Sequence, residues 1–144
     1  MSAKLIPTFL GLTLLLLVAA PAAMAVPARA SQSVELLHGT VRPLAHSARG
    51  RAAVVRRSDG SRVLTLSRFS IDPGPRVRVW LVPRAAKGDG QFRRSYVDLG
   101  RLKGSRGNQQ YTIPRRTDLR RFNAVVFWCV PFTQGLARAA LVRS

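Results

Sequence analysis

Acidic residues, cysteine, histidine and methionine are all scarce in this chain. Six Asp and Glu stand against 24 Lys and Arg over 144 residues, a formal net charge of +18. Cys129 is the only cysteine, so no disulfide forms within the chain. With only His38 and His46 to join it, a four-ligand zinc site is short of donors. A blue-copper site fails too, because no histidine follows Cys129 and both methionines, Met1 and Met24, fall in the first 25 residues. No C-x-x-C-H is present, which excludes covalent c-type haem. G-x-S-x-G, P-loop and calcium-loop patterns are likewise missing. Glu35 and the five aspartates show no spacing that points to paired acid–base work.

What is present begins with an export signal. Lys4 supplies a positive start, residues 5–20 are almost wholly apolar, and Pro21 breaks any helix. Ala23-Met24-Ala25 places small residues at both positions of an A-x-A cleavage site, and Ala28-Arg29-Ala30 offers a second. The rival is an uncleaved anchor, since residues 5–26 approach the roughly 20 needed to span a bilayer. Two prolines and the small-residue ending favour cleavage, and no cysteine lies there for a lipid anchor. The expected organisation is a signal peptide over 1–25, a short segment over 26–34 and one domain over 35–144. The product is expected to be secreted, periplasmic or at the cell surface, and not integral to the membrane.

Of the 24 cations, 21 are arginine, and loss of Lys4 with the signal lowers the charge to +17. Such a field attracts polyanions. Outside the cytoplasm these are anionic cell-surface polymers, lipid head groups or free nucleic acid. The arginine doublets are scattered, with no basic helix and no aromatic-basic signature, so specific nucleic-acid recognition is not indicated.

Short apolar runs alternating with turn residues predict β-structure. A first strand is expected over 35–42. Strands over 51–57 and 62–69 flank Ser58-Asp59-Gly60-Ser61, whose Asp-Gly pair tolerates positive φ in a hairpin. Asp72-Pro73-Gly74-Pro75 forces a turn. Residues 76–82 then alternate, with Val77, Val79 and Leu81 on one face and Arg76, Arg78 and Trp80 on a charged outer face. A mobile loop is expected over 85–91, strands over 96–100 and 109–113, and a helical turn over 119–121 capped by Thr117 or Asp118. Residues 123–132 are apolar on both faces, with Val125, Phe127 and Cys129 opposed to Val126, Trp128 and Val130. That strand belongs in the middle of the fold. A last strand over 136–142 completes an all-β, antiparallel sandwich of about seven to eight short strands.

Cys129 is the residue with chemical promise. An odd cysteine in an exported protein is sealed in a core, bonded to another molecule such as a second copy, or used for chemistry. As a small buried hydrophobe it would be inert; reactivity needs exposure beside positive charge. Non-covalent haem needs only an axial ligand, which Cys129 or His46 offers. His46 otherwise reads as a structural hydrogen-bonder, and Trp80 and Trp128 as packing residues rather than an electron path. Gly100, Gly104 and Gly107 read as turn glycines.

Several blocks share a pattern: Leu64-Thr-Leu-Ser-Arg-Phe69; Pro73-Gly-Pro75 with Val79-Trp-Leu81; Tyr96-Val-Asp-Leu-Gly-Arg-Leu-Lys-Gly104; Gly107-Asn-Gln-Gln-Tyr-Thr-Ile-Pro114; and Val125-Val-Phe-Trp-Cys-Val-Pro-Phe132. In this order and spacing the chain resembles the electron-transfer DM-thirteen domain of Skeletor-like and bacterial exported proteins, over about 100 residues. The resemblance implies a DOMON-like β-sandwich and an exported redox module. Its centre would be Cys129, as a free thiol or as ligand to a group such as haem, and it would work with a redox partner. It also marks Asp98, Gly100, Gly104, Tyr111, Pro114 and Trp128 as motif residues. Leu136 and Ala137 depart from it, standing where an aromatic and a glycine are typical. The other expectation, from charge alone, is a non-enzymatic binding module for anionic polymers or lipids.

Overall fold

The computed structural model describes residues 2–6, 11, 16–25 and 32–144. The Ala28-Arg29-Ala30 site and residues 7–10 and 12–15 of the apolar run lie outside the described residues. Among the described residues no helix is long and apolar enough to cross a membrane.

Ten strands form two antiparallel sheets of five. The strands are β1 (Val34–Thr40), β2 (Arg42–Pro43), β3 (Ala48–Arg56), β4 (Arg62–Ile71), β5 (Val77–Val82), β6 (Val97–Arg101), β7 (Gln109–Ile113), β8 (Ala124–Cys129), β9 (Gln134–Ala140) and β10 (Val142–Arg143). One sheet runs β10-β1-β3-β4-β7 and the other β2-β9-β8-β5-β6. The sandwich is therefore as expected, with eight longer strands and two two-residue pairings.

Those two pairings show where the expected boundaries fail. The first strand does not run through to Arg42: the chain crosses between sheets at buried Val41, and Arg42 pairs with Arg138 in the other sheet. The last strand likewise breaks at buried Leu141, after which Val142 returns to pair with His38. A switch of sheet needs one inward residue with its neighbours re-aimed, and periodicity does not mark it.

The core lies between the sheets. Alternation along β4 sends Leu64 and Leu66 inward, and β5 contributes Val79 and Leu81, all at most 1% exposed. β8 is the middle strand of its sheet, and all six of its residues are buried. Val125, Phe127 and Cys129 face the inter-sheet core, while Val126 and Trp128 face a second cluster outside it.

That second cluster corrects two expectations. The loop foreseen over 85–91 turns instead into a short helix, α1 (Asp89–Arg94), whose Phe92 is fully buried. The outer face of β5 is correspondingly divided: Arg76 and Arg78 keep it charged at one end, but Trp80 is covered and only 6% exposed. Six residues are too few to hold a helix alone. α1 has no side-chain N-cap, and its anchors are Phe92 and Asp89, whose Oδ1 accepts the Gly135 N–H at 2.8 Å. Gly135 permits this approach: a Cβ there would lie 3.1 Å from Phe92 Cε2 and 3.3 Å from Asp89 Oδ1. The foreseen turn near residue 119 is present, and Asp118 rather than Thr117 caps it by accepting the Arg120 N–H at 2.9 Å.

Candidate functional site

Cys129 ends β8, opposite Val77 on β5 and Gln134 on β9. Its exposure is zero, and its thiol donates to the Pro75 carbonyl at 3.4 Å. That carbonyl belongs to the Asp72-Pro73-Gly74-Pro75 turn, so the sulfur lies directly beneath a surface turn, with Pro75 itself exposed. His46 holds the other end of the same turn, its Nδ1 donating to the Asp72 carbonyl at 2.9 Å. A carbonyl only accepts, so the proton is on Nδ1. The two residues singled out as redox centre and ligand therefore share one turn, but each is bonded to its backbone and not to the other. Leu136, Val77 and His46 crowd about Gly74 in this turn: a Cβ there would come 3.0 Å from Leu136 Cδ1, 3.4 Å from Val77 Cγ2 and 3.5 Å from His46 Cε1.

On the opposite face of the same sheet, three aromatic rings stack. Tyr96 lies on Trp80 with ring centroids 3.8 Å apart and planes at 10°, and Trp80 lies on Trp128 at 4.7 Å and 15°. Register explains the contact. Trp80 pairs with Val126, which makes Trp128 its diagonal neighbour across the β5–β8 ladder. Tyr96 just precedes β6, which flanks β5 on its other side. Exposure runs from 44% at Tyr96 to 2% at Trp128, the residue before Cys129. Trp80 Nε1 is buried without a hydrogen-bond partner among the described residues. The tryptophans do pack, as expected from the sequence, but into an ordered column that reaches the surface. Only strand register reveals it.

The remaining motif residues hold the β5–β6–β7 region together. Asp98 accepts the Arg78 Nε–H at 2.8 Å through one oxygen and the Gly100 N–H at 2.8 Å through the other. Gly100 has φ +110°, a conformation that side chains resist. Tyr111 is buried, accepts the Lys103 N–H at 2.9 Å and donates to Gln109 Oε1 at 2.5 Å, while Gln109 Nε2 donates to the Gly104 carbonyl at 2.6 Å. Burial pushes the Tyr111 phenol above its ordinary value, and the Lys103 N–H partly opposes this. The Pro114 carbonyl accepts from Arg62 Nη2 at 3.2 Å. These contacts are architectural.

A family model described as Electron transfer DM13 matches residues 40–141. The chain belongs to this family. Comparison with curated proteins and comparison with solved structures each gave no match.

The DM13 domain spans both sheets and contains Cys129, His46 and the whole aromatic column. Haem does not fit at Cys129. The sulfur is fully buried in the inter-sheet core and hydrogen-bonded to the Pro75 carbonyl, which leaves it no open face for a macrocycle. Among the described residues no three His, Cys, Asp or Glu side chains gather to hold a metal ion. Leu136 and Ala137, the two departures from the family pattern, are both buried, at 1% and 0% exposure. Leu136 packs where a larger ring would press on Gly74.

Proposed function

We propose that the protein is an exported electron-transfer module in which Cys129 is the redox centre and the Tyr96–Trp80–Trp128 column joins it to the surface. The observation that carries this reading is the column itself, graded from an exposed ring to a buried one on the residue before Cys129, across β8 from the sulfur. Full burial removes the thiol reactivity that exposure beside positive charge would give Cys129, but loss of an electron needs no contact with the sulfur. Loss of one electron and the S–H proton converts the thiol to a thiyl radical. The electron passes through Trp128 and Trp80 to a one-electron acceptor docked at Tyr96. The proton leaves on the other side, where the S–H already points at the exposed Pro75 turn. A donor docked at Tyr96 returns the electron, and solvent returns the proton. Export rests on the N-terminal apolar run and its small-residue ending.

The test is electron delivery to a bulky one-electron metal-complex oxidant. Wild type should pass one electron per chain, Cys129→Ser should pass none at the same potential, and Tyr96→Leu should slow the transfer at least tenfold. Equal delivery by wild type and Cys129→Ser would overturn the assignment.

A further inference from the structure

Away from the aromatic column, backbone irregularities gather around one strongly basic cleft. It has a volume of about 730 Å³ and is walled by Arg49, Arg51, Arg68 and Arg106. The β3–β4 register shifts between Arg49 and Arg51, where Gly50 takes φ +131°. A bulge of this kind re-aims the side chains beside it. Arg68 stands at φ +49° with its N–H donated to Asn108 Oδ1 at 3.0 Å. Arg106 is brought in by a bridge to Ser70 and by the Gly107 N–H on the Phe69 carbonyl at 2.9 Å. Only Arg51 has an acidic partner, Glu35, at 2.7 Å. Arg49, Arg68 and Arg106 have none among the described residues, and no Asp or Glu lines the cleft.

A second cleft of about 500 Å³ adjoins the first, since His38, Gly39 and Thr40 line both. It holds Arg42 and Arg138, directly opposite one another on β2 and β9. Like charges so placed destabilise a sheet. Arg138 is half-buried; among the described residues its Nε has no partner, and its Nη2 donates to the Arg84 carbonyl at 2.5 Å. Burial and then the nearby Arg84 hold its guanidinium below the ordinary value. Five arginines without acidic partners among the described residues thus line two hollows that meet along His38, Gly39 and Thr40.

We propose that these clefts form one track for a linear phosphate polyanion, with Arg49, Arg68 and Arg106 gripping phosphates in the first and Arg42 and Arg138 in the second. The concavity favours a chain over a membrane, because a flat bilayer meets rims while a polymer follows joined hollows. Guanidinium forks match phosphate oxygens in pairs, and closely spaced anionic charge relieves the Arg42–Arg138 opposition. The inference is independent of the electron-transfer reading.

The test compares two triple variants of the purified protein, Arg49→Gln/Arg68→Gln/Arg106→Gln and a control, Arg93→Gln/Arg94→Gln/Arg116→Gln. The control positions lie outside both clefts, so the variants lose equal charge. Unchanged thermal melting verifies the fold of each. Affinity for long-chain inorganic polyphosphate is measured against salt, with polyglutamate and phosphatidylglycerol vesicles as comparisons. The cleft variant should bind polyphosphate at least tenfold more weakly, and its logarithmic salt slope should fall by about 2. The control should lose less than threefold. Equal losses in the two variants would overturn the track in favour of a diffuse field. Tighter binding of polyglutamate or of the vesicles at equal anionic charge would overturn the choice of ligand.

Discussion

Among single residues, Glu35 shows how an acid is used where acids are rare. It takes two hydrogen bonds from Arg51, at 2.9 and 2.7 Å, and one from Ser144 Oγ at 2.8 Å. Arg51 first and Ser144 second bring its carboxyl from about 4.5 down to about 2. A carboxylate depressed by folding contributes stability that is whole above about pH 4.5 and is lost as pH falls toward about 2. Glu35→Gln should therefore be less stable than wild type near neutrality, by up to about 1 kcal/mol for so exposed a pair. Urea titrations should show that gap closing between about pH 4.5 and about pH 2. A gap that stays constant over this range would mean that the pairing does not set the carboxyl's affinity for protons.

α1 is the element whose contribution is most concentrated. Phe92 roofs a cluster that includes Trp80, Val126 and Trp128. Phe92→Ala should lower the unfolding free energy by about 3–5 kcal/mol. Tryptophan fluorescence should shift to the red as water reaches the rings, and an unshifted spectrum would show that the column stands without α1. The same element marks where sequence reading reaches its limit. β8 was legible because an apolar stretch on both faces has only one home, the centre of a sandwich. The Asp-Gly hairpin and the Asp72–Pro75 turn were legible because backbone chemistry alone dictates them. α1 was not, since Lys87-Gly-Asp-Gly90 reads as loop and the helix forms only because Phe92 finds a tertiary pocket. The aromatic column was hidden for a related reason: which Trp lies beside which depends on the β5–β8 register. The breaks at Val41 and Leu141 likewise depend on where two sheets part.

Over the whole molecule, the first basic cleft and the exposed end of the aromatic column lie on different sheets. Arg49 and Arg68 of the first cleft stand on β3 and β4, whereas Tyr96 emerges beside β6 on the other sheet; Arg42 and Arg138 share that second sheet, with Arg138 standing across Val126 from Trp80. On the proposed reading, a polyanion held in the first cleft leaves Tyr96 free for a redox partner. The central claim is that Cys129 communicates by electrons while closed to reagents. Counting free thiol in the native protein, in aerated buffer, tests it most directly. A small alkylating reagent should leave Cys129 intact unless the chain is denatured, while a bulky one-electron oxidant should consume it in the folded state. Survival of the thiol through that oxidant, or alkylation as fast in the native as in the unfolded chain, would contradict the account.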